Sequence, residues 1–208
     1  MPPLLEEAIL ELVLVLVLLW IGQGLLLALS EANASLAATG ALIFGLLELF
    51  ALWFYRRTLP QQAATSIRYI PKTGVLLRWS VFAVIAGGLI QVASIGFAPA
   101  EDLSFRPMTT HWAGWIFVVL IGPLVEEILF RACVFELLRP KFSVAIALVS
   151  SAALFGLGHG SLVSMAFAFC GGLMFSFAYL RSGSILPGFI GHAVVNAIGL
   201  WAIRNGAV

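Results

Sequence analysis

The chain has 208 residues, 62% of them hydrophobic and 10% charged, with a mean hydropathy of +1.07 and a formal net charge of +1. A soluble domain carries about 25% charged residues, so this composition excludes a water-facing surface and implies an integral membrane protein. The near-zero net charge excludes an electrostatic nucleic-acid binder, which leaves the lipid bilayer as the expected surrounding partner.

A bilayer-crossing helix needs about 20 apolar residues. Seven such runs follow one another near 8–29, 36–55, 75–97, 112–138, 143–160, 162–180 and 185–203. The fifth and sixth are interrupted by Gly156, Gly158 and Gly160, which widens the count to six to eight. The fold class read from this pattern is an all-α, polytopic transmembrane helical bundle. It forms a single domain, 1–208, with no internal repeat.

The first run carries Glu6, Glu7 and Glu11 in place of a basic n-region, so it reads as a retained span and not a cleaved signal peptide. In the second, Glu48 reads as a hydrogen-bonded contact inside the bundle, with a supporting role at a site as the alternative. Gln23 and Gln91 read as interhelical hydrogen-bonders, with substrate contact as the alternative. Between the second and third runs lie Arg56, Arg57, Arg68, Lys72 and Arg78 with no acidic residue. This loop should be cytoplasmic, and with it the N-terminus. Alternation puts Arg139, Lys141 and Arg181 on the same side and the 98–111 loop outside; only Arg204 breaks the rule. Trp53, Tyr55, Trp79, Trp112, Tyr179 and Trp201 fall near span ends, as an interfacial belt does, and His111 beside Trp112 is assigned to the interface. Cys133 and Cys170 lack the spacing of a disulfide framework or a thiolate metal site. The phenylalanines of the sixth run, Phe167, Phe169, Phe175 and Phe177, read as lipid-facing packing.

The fourth run contains PLVEEILFRACVF, Pro123 to Phe135. Each charge placed in a membrane interior costs about 3 kcal/mol even on lenient scales. Glu127 and Arg131 are four residues apart, on one helical face, and can pair. Glu126 points about 100° away and needs another partner. Glu136 is within reach of Arg139 near the water boundary. Two histidines also lie in apolar runs: His159, four residues after Phe155, and His192, four residues before Asn196. Gly156 and Gly160 form a small-xxx-small pair that admits a neighbouring helix.

From Glu126 to the end of its helix is about 18 Å, and the return to His159 is about 24 Å, so the two side chains can meet at similar depth. A structural ion cluster with interhelical hydrogen bonds is one reading of these groups. The other is catalysis. A glutamate beside a histidine can hold and deprotonate a water, and a histidine with an asparagine one turn away can donate to an oxyanion. Two histidines and a carboxylate also suit zinc, but no HExxH is present and each ligand would come from a different helix.

EEILFR, FGLGH and HAVVN, in that order, resemble the EExxxR, FxxxH and HxxxN signatures of the CAAX-protease and bacteriocin-processing family of intramembrane endopeptidases. The resemblance covers about 112–204 and leaves the three N-terminal helices, 8–97, without a motif. It implies that Glu126 is the general base, that His159 helps it activate water, and that His192 and Asn196 stabilise the oxyanion. Glu127, Arg131 and Phe155 are then supporting residues, and no metal or other cofactor is expected, zinc being the alternative. The implied substrate is a membrane-associated protein or peptide. The short chain resembles bacterial relatives, which implies a bacterial inner membrane and leaves a prenylated substrate open. Two rival readings are a non-catalytic membrane partner, such as a bacteriocin-immunity protein, and a proton-relay transporter, the latter disfavoured by the missing inverted repeat.

Overall fold

The computed structural model describes residues 33–55, 61–97 and 109–206, with scattered positions between 7 and 25. The first expected span, with Gln23, and the acidic 98–108 loop therefore lie largely or wholly outside the described residues. Seven helices follow within the rest: α1 (Ala34–Tyr55), α2 (Gln61–Arg68), α3 (Thr73–Ile95), α4 (Trp112–Leu138), α5 (Val144–Leu157), α6 (Leu162–Ser182) and α7 (Leu186–Arg204). Five of them, α1, α3, α4, α6 and α7, are long and apolar enough to cross a membrane. Among the described residues there is no strand. The protein is an integral membrane helical bundle.

The fifth run is shorter than its apolar sequence suggests. Helix α5 has 14 residues, about 21 Å at 1.5 Å each, which falls short of a roughly 30 Å hydrocarbon core. It ends at Leu157, and Ser161 starts α6 by accepting from the backbone N–H of Ser164 at 3.1 Å. Gly156 makes the expected close approach, since a Cβ there would stand 2.8 Å from the carbonyl oxygen of Met165. Gly160 does not. It lies exposed in the turn between the helices.

Helices α3 and α7 pack closely in parallel, in a register set by small residues. Gly191 meets Ala83, Gly87 meets Val195 and Gly199 meets Gln91, each pair one helical turn beyond the last. A Cβ on Gly191 would stand 2.9 Å from the backbone carbon of Ala83, so these two backbones are nearly in contact.

Helix α4 is not a regular α-helix. Phe117–Ile121 and Ile128–Phe135 are π-helical turns on either side of Gly122–Glu127. Pro123 explains part of this. The N–H of Gly122 reaches back five residues to the carbonyl of Phe117, and the next such donor would be Pro123, which has no N–H. The Val118 carbonyl is thereby orphaned, and the Asn196 Nδ2 amide of α7 donates to it at 2.9 Å. In the second π segment the Ser151 hydroxyl donates to the Phe130 carbonyl at 2.7 Å. The core lies around this helix, with Val125, Leu129, Cys133 and Phe135 packed against Phe155 and Tyr179.

Two assignments change with burial. Trp53, Trp112 and Trp201 are exposed, as belt residues should be, but Tyr179 is buried. Its hydroxyl donates to Glu136 Oε1 at 2.8 Å, and Glu136 Oε2 pairs with Arg139 at 3.1 Å. A buried carboxylate needs partners, and Tyr179 supplies one. Phe175 is likewise buried, where a lipid-facing position was expected, while Phe177 is exposed. His111 caps α4, its Nδ1 accepting from the N–H of Ala113 at 3.3 Å.

Candidate active site

Helices α4 and α7 bring Glu126, Glu127, Arg131 and His192 together. Glu127 and Arg131 are fully buried, with Arg131 Nε 3.2 Å from Glu127 Oε2, close in distance but off-angle for a hydrogen bond. Arg131 Nη2 donates to the Gly172 carbonyl at 3.2 Å, and its guanidinium lies over the rings of Phe155 at 4.8 Å and Phe175 at 5.8 Å. Such cation–π contacts offset part of the cost of burying the charge. Gly188 gives α7 the room to cross here, since a Cβ would stand 2.5 Å from Glu127 Oε2.

His192 bridges the two glutamates. Its Nδ1 is 3.3 Å from Glu127 Oε1 and its Nε2 is 3.4 Å from Glu126 Oε2. The imidazole is stacked on Phe175 (centroids 5.2 Å apart, 20° between planes) and meets the edge of Phe155 at 5.5 Å. Arg131, Glu127, His192 and Glu126 thus form a continuous chain, each group oriented by the one before it. The Glu126 side chain is 24% exposed, against 0% for Glu127, so it is the carboxylate that remains accessible. The direct contact of Glu126 is thus with His192, a contact that the motif spacing does not predict.

His159 also packs edge-on against Phe155, with ring centroids 5.0 Å apart, and lies within electrostatic range of Glu126. Its Nδ1 is 3.1 Å from the Phe155 carbonyl. A carbonyl oxygen can only accept, so Nδ1 carries the proton and Nε2 presents a lone pair. The FxxxH spacing is what makes this bond, because the histidine folds back onto the carbonyl four residues earlier. Asn196 spends one amide hydrogen on Val118 and retains a second. His159, His192, Asn196 and Phe155 line a cavity of about 220 Å³ between α3, α6 and α7. Glu48 of α1 is within electrostatic range of Glu126, a neighbour that sequence reasoning named only as an alternative.

The FGLGH and HAVVN segments therefore converge on one cavity, and the EEILFR segment contacts its lining through His192. A family model, type II CAAX prenyl endopeptidase Rce1-like, matches residues 89–198. The chain belongs to this family. The Rce1-like match begins in the last turns of α3, upstream of the motif-bearing segment, and ends two residues past Asn196. The chain is also 31% identical over 77 residues to a Bacillus subtilis (strain 168) protein named "Putative membrane peptidase YdiL". That similarity covers 37% of this chain and 32% of the relative, so the chain matches about a third of the relative's length. No solved structure matches.

Proposed function

We propose that this Rce1-like chain is an intramembrane endopeptidase of the glutamate type, which hydrolyses a peptide bond near a membrane-associated segment of its substrate. The observation that carries this reading is a pair of neighbouring bases: a partly exposed Glu126 in contact with the cavity-lining His192, and a cavity-lining His159 whose Nε2 lone pair is fixed by the bond from Nδ1 to the Phe155 carbonyl. A water between them loses its proton to Glu126 as its oxygen attacks the scissile carbonyl. The oxyanion that forms is met by the remaining amide hydrogen of Asn196 and by the Nε2–H of His192, which Glu126 releases as it takes up the water's proton, and that proton passes from Glu126 to the leaving amine. Glu127 and Arg131 hold His192 in place. Gly172, Phe155 and Phe175 hold Arg131.

The chemistry proposed here is metal-free. Both His192 nitrogens face carboxylates, and among the described residues no three His, Cys, Asp or Glu side chains are grouped to hold an ion. On the positive-inside rule the N-terminus is assigned to the cytoplasm of a bacterial inner membrane. Arg78 and Arg181 share Trp79 at the basic end of the bundle, which supports that side. The test is substrate trapping. The Glu126→Gln protein, expressed in cells and purified in native lipid discs, should retain membrane proteins that the native protein releases as two fragments. Identical sets of intact proteins bound to both would refute a peptidase.

A further inference from the structure

Away from its histidines, the cavity wall is mostly apolar, formed by Ile90, Val163, Phe167, Ala168, Val195 and Ile203. Two polar side chains of α3 interrupt it, Gln91 and Ser94. The Ser94 hydroxyl is used locally, donating to the Gln91 carbonyl at 2.8 Å. The Gln91 side-chain amide is different. It is half-buried, lines the cavity, and makes no hydrogen bond among the described residues. It lies over Gly199, where a Cβ would come within 2.8 Å of its Nε2, so α7 leaves the space this amide occupies. An amide that faces a largely apolar cavity with no protein partner among the described residues keeps both its donor and its acceptor for a bound ligand.

Resting on the peptidase reading, we infer that Gln91 is a substrate-positioning residue, whose amide pairs with the backbone of an extended peptide lying in the cavity. The side-chain N–H donates to a peptide carbonyl and the side-chain oxygen accepts from a peptide N–H, as a neighbouring strand would. The register of α7 fixes where. Gly199 lies seven residues beyond His192, about 10 Å along the helix. An extended peptide advances about 3.3 Å per residue, so Gln91 meets the backbone about three residues from the scissile bond. The cavity volume suits this use. At about 220 Å³ it exceeds the space that holds a benzene ring and falls below that of pockets for drug-sized ligands. It therefore accepts one or two apolar side chains with their backbone.

The test uses fluorescent peptides carrying a palmitoyl anchor, drawn from a randomised pool, and the full chain in lipid discs. Binding is measured to the Glu126→Gln protein with and without Gln91→Leu. The leucine should weaken the tightest peptide about five- to tenfold while leaving the melting temperature unchanged. Replacing each peptide amide in turn by an ester should identify one position that weakens binding to the Glu126→Gln protein but not to the double variant. That position should lie about three residues from the bond the native protein cuts. Gly199→Ala, which displaces the Gln91 amide without altering it, should reproduce the loss. Equal binding by both proteins, or an ester effect indifferent to Gln91, overturns the inference. Coupling between Gln91 and one peptide position without cleavage by the native protein overturns the peptidase reading alone.

Discussion

Arg131→Ala is the sharpest probe of what holds the site together. The arginine is fully buried, and it is the only cation among the described residues paired with the fully buried Glu127 apart from His192. Removing it leaves a carboxylate in low dielectric with one partner at 3.3 Å, and it strips a charged hydrogen bond from the Gly172 carbonyl. Breaking such a buried pair costs roughly 3–5 kcal/mol. At roughly 2–4 °C per kcal/mol for a chain of this size, the melting temperature should fall by roughly 6–20 °C. Glu126→Gln, at a partly exposed position, should melt close to the native protein. The assay is thermal unfolding in detergent followed by intrinsic tryptophan fluorescence. Adding Glu127→Gln to an Arg131→Met protein should restore much of the loss, because no unpaired charge then remains. The reasoning fails if Arg131→Ala melts no lower than Glu126→Gln, or if the neutral double variant is as unstable as the single.

Other outcomes follow from the same contacts. Asn196→Ala should cost about 1–3 kcal/mol by orphaning the Val118 carbonyl, and Pro123→Ala in that background should recover part of it by supplying an N–H, both read as melting temperatures. Gly188→Ala should force the Glu127 carboxylate aside and destabilise by about 1–3 kcal/mol, with the loss reduced in a Glu127→Ala background. Tyr179→Phe should cost about 1 kcal/mol through the lost bond to Glu136 and leave peptide cleavage unchanged, which separates this cluster from the site.

What the sequence made legible was whatever depends on local spacing. The apolar runs located α1, α3, α4, α6 and α7 to within a few residues, and the four-residue interval from Glu127 to Arg131 predicted their ion pair. The interval from Glu136 to Arg139 did the same. Contacts between distant segments were not legible. His192 reaches Glu126 and Glu127 across 65 or more residues, and nothing in HAVVN says which glutamate it will face. The same limit hid Phe175, whose burial follows from stacking on that imidazole, and Tyr179, whose burial follows from Glu136. The π turns of α4 had one available signal. Pro123 inside an otherwise helical run guarantees an orphaned carbonyl, and a polar side chain from another helix was needed to satisfy it. Gln91 was read as an interhelical hydrogen-bonder because an amide in a span commonly is one; only the cavity beside it distinguishes the cases.

The most direct measurement is cleavage of anchored, self-quenched peptides by the native protein and by Glu126→Gln in the same lipid discs, with the melting temperature of each recorded. If Glu126 is the base that activates water, kcat should fall by about 10²–10⁴-fold while binding and melting stay near native. A Glu126→Gln protein that is folded and turns over at the native rate would contradict it.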